Sequence, residues 1–289
     1  MSFTGGGNIP TVDDPSDVNA MIDAGFGFEG EFTYGNGKTD IKFDGPDGGG
    51  TVNTSSTGGA LTVGMSEDGL SYSGSQSGLA IKALMSQMPI PIDLNMENMV
   101  FGLMLPVQKS DEEQDFGLKL ALEGFTMSDV LWGMFDPQAQ LPRDPATVAV
   151  DLAGKATLLV NYMDPEEAAA MEASEEAPGE LNALDVKDVT VEAAGAKLNG
   201  SGAFTFDNTD MTTFDGMPKP TGSLDLTLVG GNGLIDKLVA MGLLPEEQAM
   251  GARMMMGLFA VPGDGPDSLK SKLEINEEGH VLANGQRLK

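Results

Sequence analysis

The chain contains no cysteine, one histidine and one tryptophan in 289 residues. Without cysteine there is no disulfide framework, no thiolate nucleophile and no cysteine-ligated metal. Cations are scarce too: 16 Lys and Arg stand against 44 Asp and Glu, a formal net charge of −28. Such a field repels phosphate backbones and anionic lipid surfaces, which argues against a nucleic-acid partner. No apolar run reaches the ~18 residues that read as a membrane-spanning helix. The start, MSFTGGGNIPTVDD, lacks the basic and apolar regions of a signal peptide.

Catalytic and cofactor patterns are equally thin. His280 follows the turn NEEG and reads as an exposed turn residue, with no nucleophile placed for a triad. GSQSG (Gly74 to Gly78) carries Gln76 where a nucleophile elbow needs serine, and it lies inside a strand pattern. LVGGNGLIDK sits at a strand-to-helix step, but Lys237 is misplaced for a phosphate loop. Asp236 stands where a dinucleotide loop needs glycine. DGPDGG, DNTD and DEEQD have calcium-type ligands without the spacing of a calcium loop. No catalytic, cofactor-binding or metal-ligating residue is therefore assigned, and a non-enzymatic protein without a cofactor is expected.

What is present is glycine, 39 residues, and a hydrophobic content of 40%. A chain of this length is expected to bury about three quarters of its unfolded surface, and such glycine suits tight turns between short strands. Residues 1–25 read as a mobile arm, and residues 26–289 as one β-rich domain. Phe26, Phe28, Phe32 and Tyr34 alternate with small or charged residues; GNGK reads as a hairpin turn leading to Ile41 and Phe43. The pattern recurs in ALTVGM, turn SEDG, LSYSGSQSGLAIKAL; in MENMVFGLMLPV, loop KSDEEQD, FGLKLALEGF; in VTVEAAGAKLNGSGAFTF and GSLDLTLVG; and in the closing hairpin around NEEG. Short turns between neighbours favour an antiparallel meander. Four helices are expected: Met127 to Phe135 with Ser128 as N-cap; DPEEAAAMEASEEA with Asp164 as N-cap; GLIDKLVAMG after Asn232; and PEEQAMGARMMMGLFA from Pro245.

In that last helix Met250, Met254, Met255 and Leu258 fall within an arc of about 140° and read as a core stripe. Met256 points elsewhere, beside Ala249, Ala252 and Ala260. This second side is either buried as well or shown to something apolar, since methionine suits adaptable surfaces. The candidate ligand or partner surface is Met256, Ala252, Phe259, Leu238 and Met241.

LPRDPATVAVDLAGKATLLV, PGELNALDVKDVTVEAAGAKLNG, LVGGNGLIDKLVAMGLLPEEQAMGARMMMGLFAVPGDG and VLANGQRLK resemble the domain-of-unknown-function family twenty-one twenty-five of Rhodobacter-like alphaproteobacteria. The resemblance runs from about Phe26. It implies export to the periplasm and a chain that is the C-terminal portion of a longer exported protein. More loosely, the closing strands, helices and hairpin are similar to YdgA-like and AsmA-like envelope proteins, the latter with curved sheets that hold lipid chains. The fold expected is mainly β, a long twisted antiparallel meander curling over two C-terminal helices. The expected function is binding of an apolar ligand such as a lipid acyl chain. The alternative is an interaction module without a ligand, for an envelope protein or a missing N-terminal half.

Overall fold

The structure is a computed structural model that describes residues 1–45, 48–174 and 177–289. The elements are β1 (Ser2–Asn8), α1 (Val18–Asp23), β2 (Gly27–Tyr34), β3 (Gly37–Phe43), β4 (Gly50–Ser56), β5 (Gly58–Ser66), β6 (Gly69–Met85), β7 (Met88–Leu105), β8 (Gln114–Met127) and α2 (Asp129–Phe135). They continue with β9 (Ala146–Leu158), α3 (Pro165–Glu172), β10 (Gly179–Ala193), β11 (Ala196–Asp207), β12 (Lys219–Val229), α4 (Gly231–Ala240) and α5 (Glu246–Phe259). The chain closes with β13 (Val261–Pro262), β14 (Ser268–Ile275), β15 (Val281–Ala283) and β16 (Gln286–Arg287).

All 16 strands belong to one antiparallel sheet, a meander from β1 to β16 that does not close into a barrel. The two-residue turns carry the left-handed residues they require. Ala194 and Gly195 join β10 to β11 with φ of 51 and 85°, and Asn284 and Gly285 join β15 to β16 with φ of 50 and 81°. Ser128 and Asp164 cap α2 and α3 as expected.

GNGK is not a hairpin. Tyr34 pairs with Gly59 and Gly37 with Ser56 in one continuous register, so β2 and β3 are two halves of one line, as are β4 and β5. It is β3 and β4 that pair with each other, Phe43 opposite Gly50. The same registers reveal a crease. Asn36 lies opposite Thr57, whose N–H bonds to Ser77 O at 2.9 Å. Gly78 lies opposite Glu97, and Glu97 opposite Gly124. Along this line Gly58, Gly78 and Gly124 have φ of 148, 57 and 67°. On the strands it crosses, apolar residues change parity: Leu70 and Tyr72 before it on β6, Leu79 and Ile81 after it. Left-handed residues interrupt strict alternation and make that change possible.

Residues 1–25, expected as an arm, contain β1, paired to β2 along its whole length, and α1. Asn19 and Asp23 of α1 bond to Gln108, and Asn19 also to Asn161; Ile22 is fully buried. Elsewhere the core is thin. The chain exposes 17327 Å², against about 11,700 Å² for a compact monomer of this mass. An unfolded chain exposes about 44,000 Å², so folding hides about three fifths of it, not the three quarters expected. The reason is architectural: among the described residues most of the sheet is a single layer with no second layer packed on it.

Candidate functional site

Antiparallel partners point to the same face of a sheet, and neighbours along a strand to opposite faces. Following the register gives one apolar surface from β1 to β12, whose central row ends at Ser271 of β14 beneath the end of α5. It runs from Phe3 and Phe32 through Leu61, Gly74, Phe101 and Leu120. It continues through Val150, Val189, Gly200, Leu226 and Ser271. Flanking rows on the same face add Leu118, Leu152, Val186, Leu224 and Leu273. The opposite face carries Glu29 and Glu31, the serines at 71, 73, 75 and 77, Lys119, Asp151, Asn199 and Asp225. Its cations pair across strands, as Lys119 does with Asp151 at 3.3 Å and Lys155 with Asp115 at 2.8 Å.

Among the described residues no element covers the middle of the apolar face. Leu118 is 45% exposed and Leu120 40%, well beyond what a layered sheet leaves open. Aromatic rings partly shield the backbone by lying over glycines of the next strand. A Cβ on Gly74 would stand 2.5 Å from Phe101 Cε1, and Phe116 leaves no room for one on Gly154. Glycine is therefore used inside strands as well as at turns, as the bed for a ring. At one end of this face residues 208–218 lie beside β10, β11 and β12 and border a half-open apolar cavity of about 480 Å³.

The helices reverse the expected orientation. Met250 and Met254 are each 71% exposed, Met255 53% and Leu258 51%, so this stripe is not core. The inward side carries Ala249, which is buried, with half-buried Ala252, Met256 and Phe259; Leu238 and Met241 of the α4 region are half-buried too. Small side chains let α5 approach α4 closely, and Arg253 pairs with Asp236 across the two helices at 2.5 Å. The end of α5 is held by Ser271 Oγ and Asn284 Nδ2, which both donate to Phe259 O.

The strand-to-helix step at LVGGNGLIDK is already filled. Gly230, not Asn232, is the N-cap, with φ of 76°. The Asp267 carboxylate accepts from Asn232 N (3.1 Å), Asn232 Nδ2 (2.9 Å) and Gly233 N (2.7 Å), taking the place an anion would occupy. Burial pushes this carboxyl up, but the bonds from Gly233 and Asn232 outweigh it and hold it below the usual range. His280 is half-buried rather than exposed, with its backbone tied to Asn276. In DNTD, Asp207 and Asp210 spend their oxygens on Thr209, Thr212 and Thr213. In DEEQD, Asp115 holds Lys155. DGPDGG includes Pro46 and Asp47, outside the described residues. Among the described residues no group of three or more Asp, Glu or His is placed to hold a metal.

Comparison with curated proteins finds no match, and neither does comparison with solved structures. The sequence profile of a bacterial family described as "Uncharacterized protein conserved in bacteria (DUF2125)" matches residues 39–286. With most of its length covered, the chain belongs to the DUF2125 family.

Proposed function

We propose that this chain is a non-enzymatic periplasmic protein of the cell envelope that binds an apolar ligand, such as a lipid acyl chain, along the open face of its sheet. The observation that carries the reading is the apolar surface from Phe3 to Leu226, with Leu118 and Leu120 near its middle, 45% and 40% exposed. Contiguous apolar surface of this extent is rare on a monomer with nothing to bind. An open face of Leu, Val and aromatic rings lying on glycines matches hydrocarbon, while the polar face keeps the molecule in water. The charge of −28 disfavours a phosphate-rich ligand and leaves the chain itself as the recognised part. The helix pair bearing Leu238, Met241, Ala252, Met256 and Phe259 supplies a further apolar wall.

The test is native mass spectrometry of the protein taken from its own host, with Leu118→Glu and Leu120→Glu as variants and Ser73→Glu on the polar face as control. Co-purifying lipid that is lost in the two leucine variants and kept in the control is the expected result. Absence of lipid, or equal loss in all three, would sink the reading. The interaction module without a ligand keeps one observation in its favour: the outer edge of β1 carries seven uncharged residues, all exposed, and such an edge can accept another strand. Crosslinking through position 4 of β1 to another protein, with no lipid found, would favour it.

A further inference from the structure

We infer that the cavity at the end of the apolar face receives the methyl end of a straight acyl chain and so sets the length of chain the protein prefers. The inference rests on the acyl-binding reading above. The cavity, about 480 Å³, is lined by Leu181, Phe206, Met211, Phe214, Met217 and Pro220 among others, and its size is within the ~300–1,000 Å³ of ligand sites. It belongs to the same face. Leu181 pairs with Ala156 and Phe206 with Pro220, positions in phase with Leu152 and Leu224 of the apolar surface. A chain lying along that surface can pass into the cavity without crossing a polar row.

The wall is built, not loose. Asp210 accepts from the N–H and hydroxyl groups of both Thr212 and Thr213. Gly216 N bonds to Met211 O at 2.8 Å, Met217 N to Phe214 O at 3.1 Å, and Lys219 N to Asp210 O at 3.1 Å. Asp215 and Gly216 turn the chain with φ of 53 and 93°. Asn208 Nδ2 ties the loop to Leu181 O at 2.9 Å. These bonds spend the loop's polar groups on the loop itself, so the surface turned to the cavity is hydrocarbon. Glu180, which borders the cavity, alternates with Gly179 and Leu181 and sends its carboxylate to the polar face. Asp207 and Asp210 both pair with Lys219, at 3.7 and 3.8 Å, so charge at this rim is largely balanced, and it is the apolar lining that disfavours a carboxylate or phosphate head inside. The methyl end enters, and the head lies back along the sheet.

The test uses neutral straight-chain monoacylglycerols of increasing length, titrated calorimetrically into the full chain. Each added methylene should tighten binding about fourfold until the cavity is filled, after which affinity levels off. Met217→Trp fills the cavity from a position already 62% exposed, so folding should be unaffected; Met211→Trp does the same from another wall. Either variant should level off at a shorter chain and lose at least tenfold for the longest probes, with the shortest unchanged. A length profile identical to the parent chain in both variants would overturn the inference while leaving the acyl-binding reading intact. Failure of the parent chain to bind any probe would overturn both.

Discussion

On β6, Leu70 and Tyr72 alternate with Ser71 and Ser73, and the same division runs across the neighbouring strands, so one sheet presents two unlike faces. The apolar face is tight at its backbone: rings lie on glycines, and a side chain added beneath them meets either ring or carbonyl. The polar face is loose, with short hydroxyls and a few ion pairs standing in water. In a layered protein the apolar side would be closed by a second sheet or by helices. Here helices reach the sheet only locally, as α2 does at β7 and α4 at β11. Burial therefore contributes less than usual, and the ladder and same-face neighbours contribute more. Such a sheet keeps its hydrophobic surface available, which is what a ligand along it needs.

The comparison breaks most readily at a glycine. Gly154→Val on the apolar face would push Cβ into Ala183 O and the Phe116 ring. It should cost about 3 kcal/mol in denaturant unfolding. On the polar face, a Cβ on Gly102 meets its nearest neighbours, Lys119 Cβ and Ser73 Cβ, at 3.5 and 4.0 Å, which is ordinary contact. Gly102→Ala should change stability by less than about 1 kcal/mol, in the stabilising direction if at all. Equal costs at the two positions would mean that the faces are not packed differently.

The helix α5 offers the same contrast in miniature. Ala249 is 1% exposed, so Ala249→Asp places a carboxylate where it has no partner and should cost about 2–3 kcal/mol. Met254→Asp, five residues on and at the surface, should stay within about 0.5 kcal/mol. If Met254→Asp proved the worse of the two in thermal unfolding, the orientation of the helix would have to be reversed.

The sequence shows these features unevenly, and the reasons are physical. Alternation located β6, β7, β8 and β11 because one side is apolar and the other polar, which is the property that survives without knowing what covers either side. It did not single out β9, where Ala149 and Ala153 on the polar face blur the period of Val148, Val150 and Leu152. It read Gly35 to Lys38 as a hairpin because the residues suit one; only the pairing of Gly37 with Ser56 shows the chain going straight on. The methionine arc on α5 has the phase that its spacing predicts but faces outward, although the larger apolar stripe of a helix is ordinarily its core side. Small residues on the other side, Ala249 and Ala252, are the signal for close packing that announces this orientation. The cap on α4 from Asp267, 35 residues beyond Asn232, is a tertiary contact that no local pattern announces.

Acid should act first on the loop at the end of the apolar face. Asp210 is held down to about 2 by the bonds from Thr213 and Thr212. A carboxyl depressed in the folded state contributes stability above its ordinary value of about 3.9 and loses it as pH falls through the folded value. Hydrogen exchange of residues 208–218 should therefore accelerate between about pH 4 and 2. In Asp210→Asn the loop should already exchange faster at neutral pH, without that acid step. An unchanged exchange profile in the variant would separate the loop's order from this carboxylate.

A small effect is also expected on the polar face. Lys119 and Asp151 are direct cross-strand partners 3.3 Å apart, with side chains 53% and 28% exposed. An exposed pair gains little Coulomb energy in water and gives part of it up in side-chain entropy, so its coupling should be at most about 1 kcal/mol. The surplus of acid complicates a single substitution, because Lys119→Met also raises the net negative charge and its self-repulsion. A double-mutant cycle with Asp151→Asn removes that background from the pairwise term. The coupling should shrink as sodium chloride screens it, while the stability of the parent chain rises with the same salt because its overall repulsion is relieved. Opposite salt slopes for the pair and for the whole chain are the expected outcome. A coupling above about 2 kcal/mol that ignores salt would show the polar face to be as tightly constructed as the apolar one, and the contrast between them would fail there.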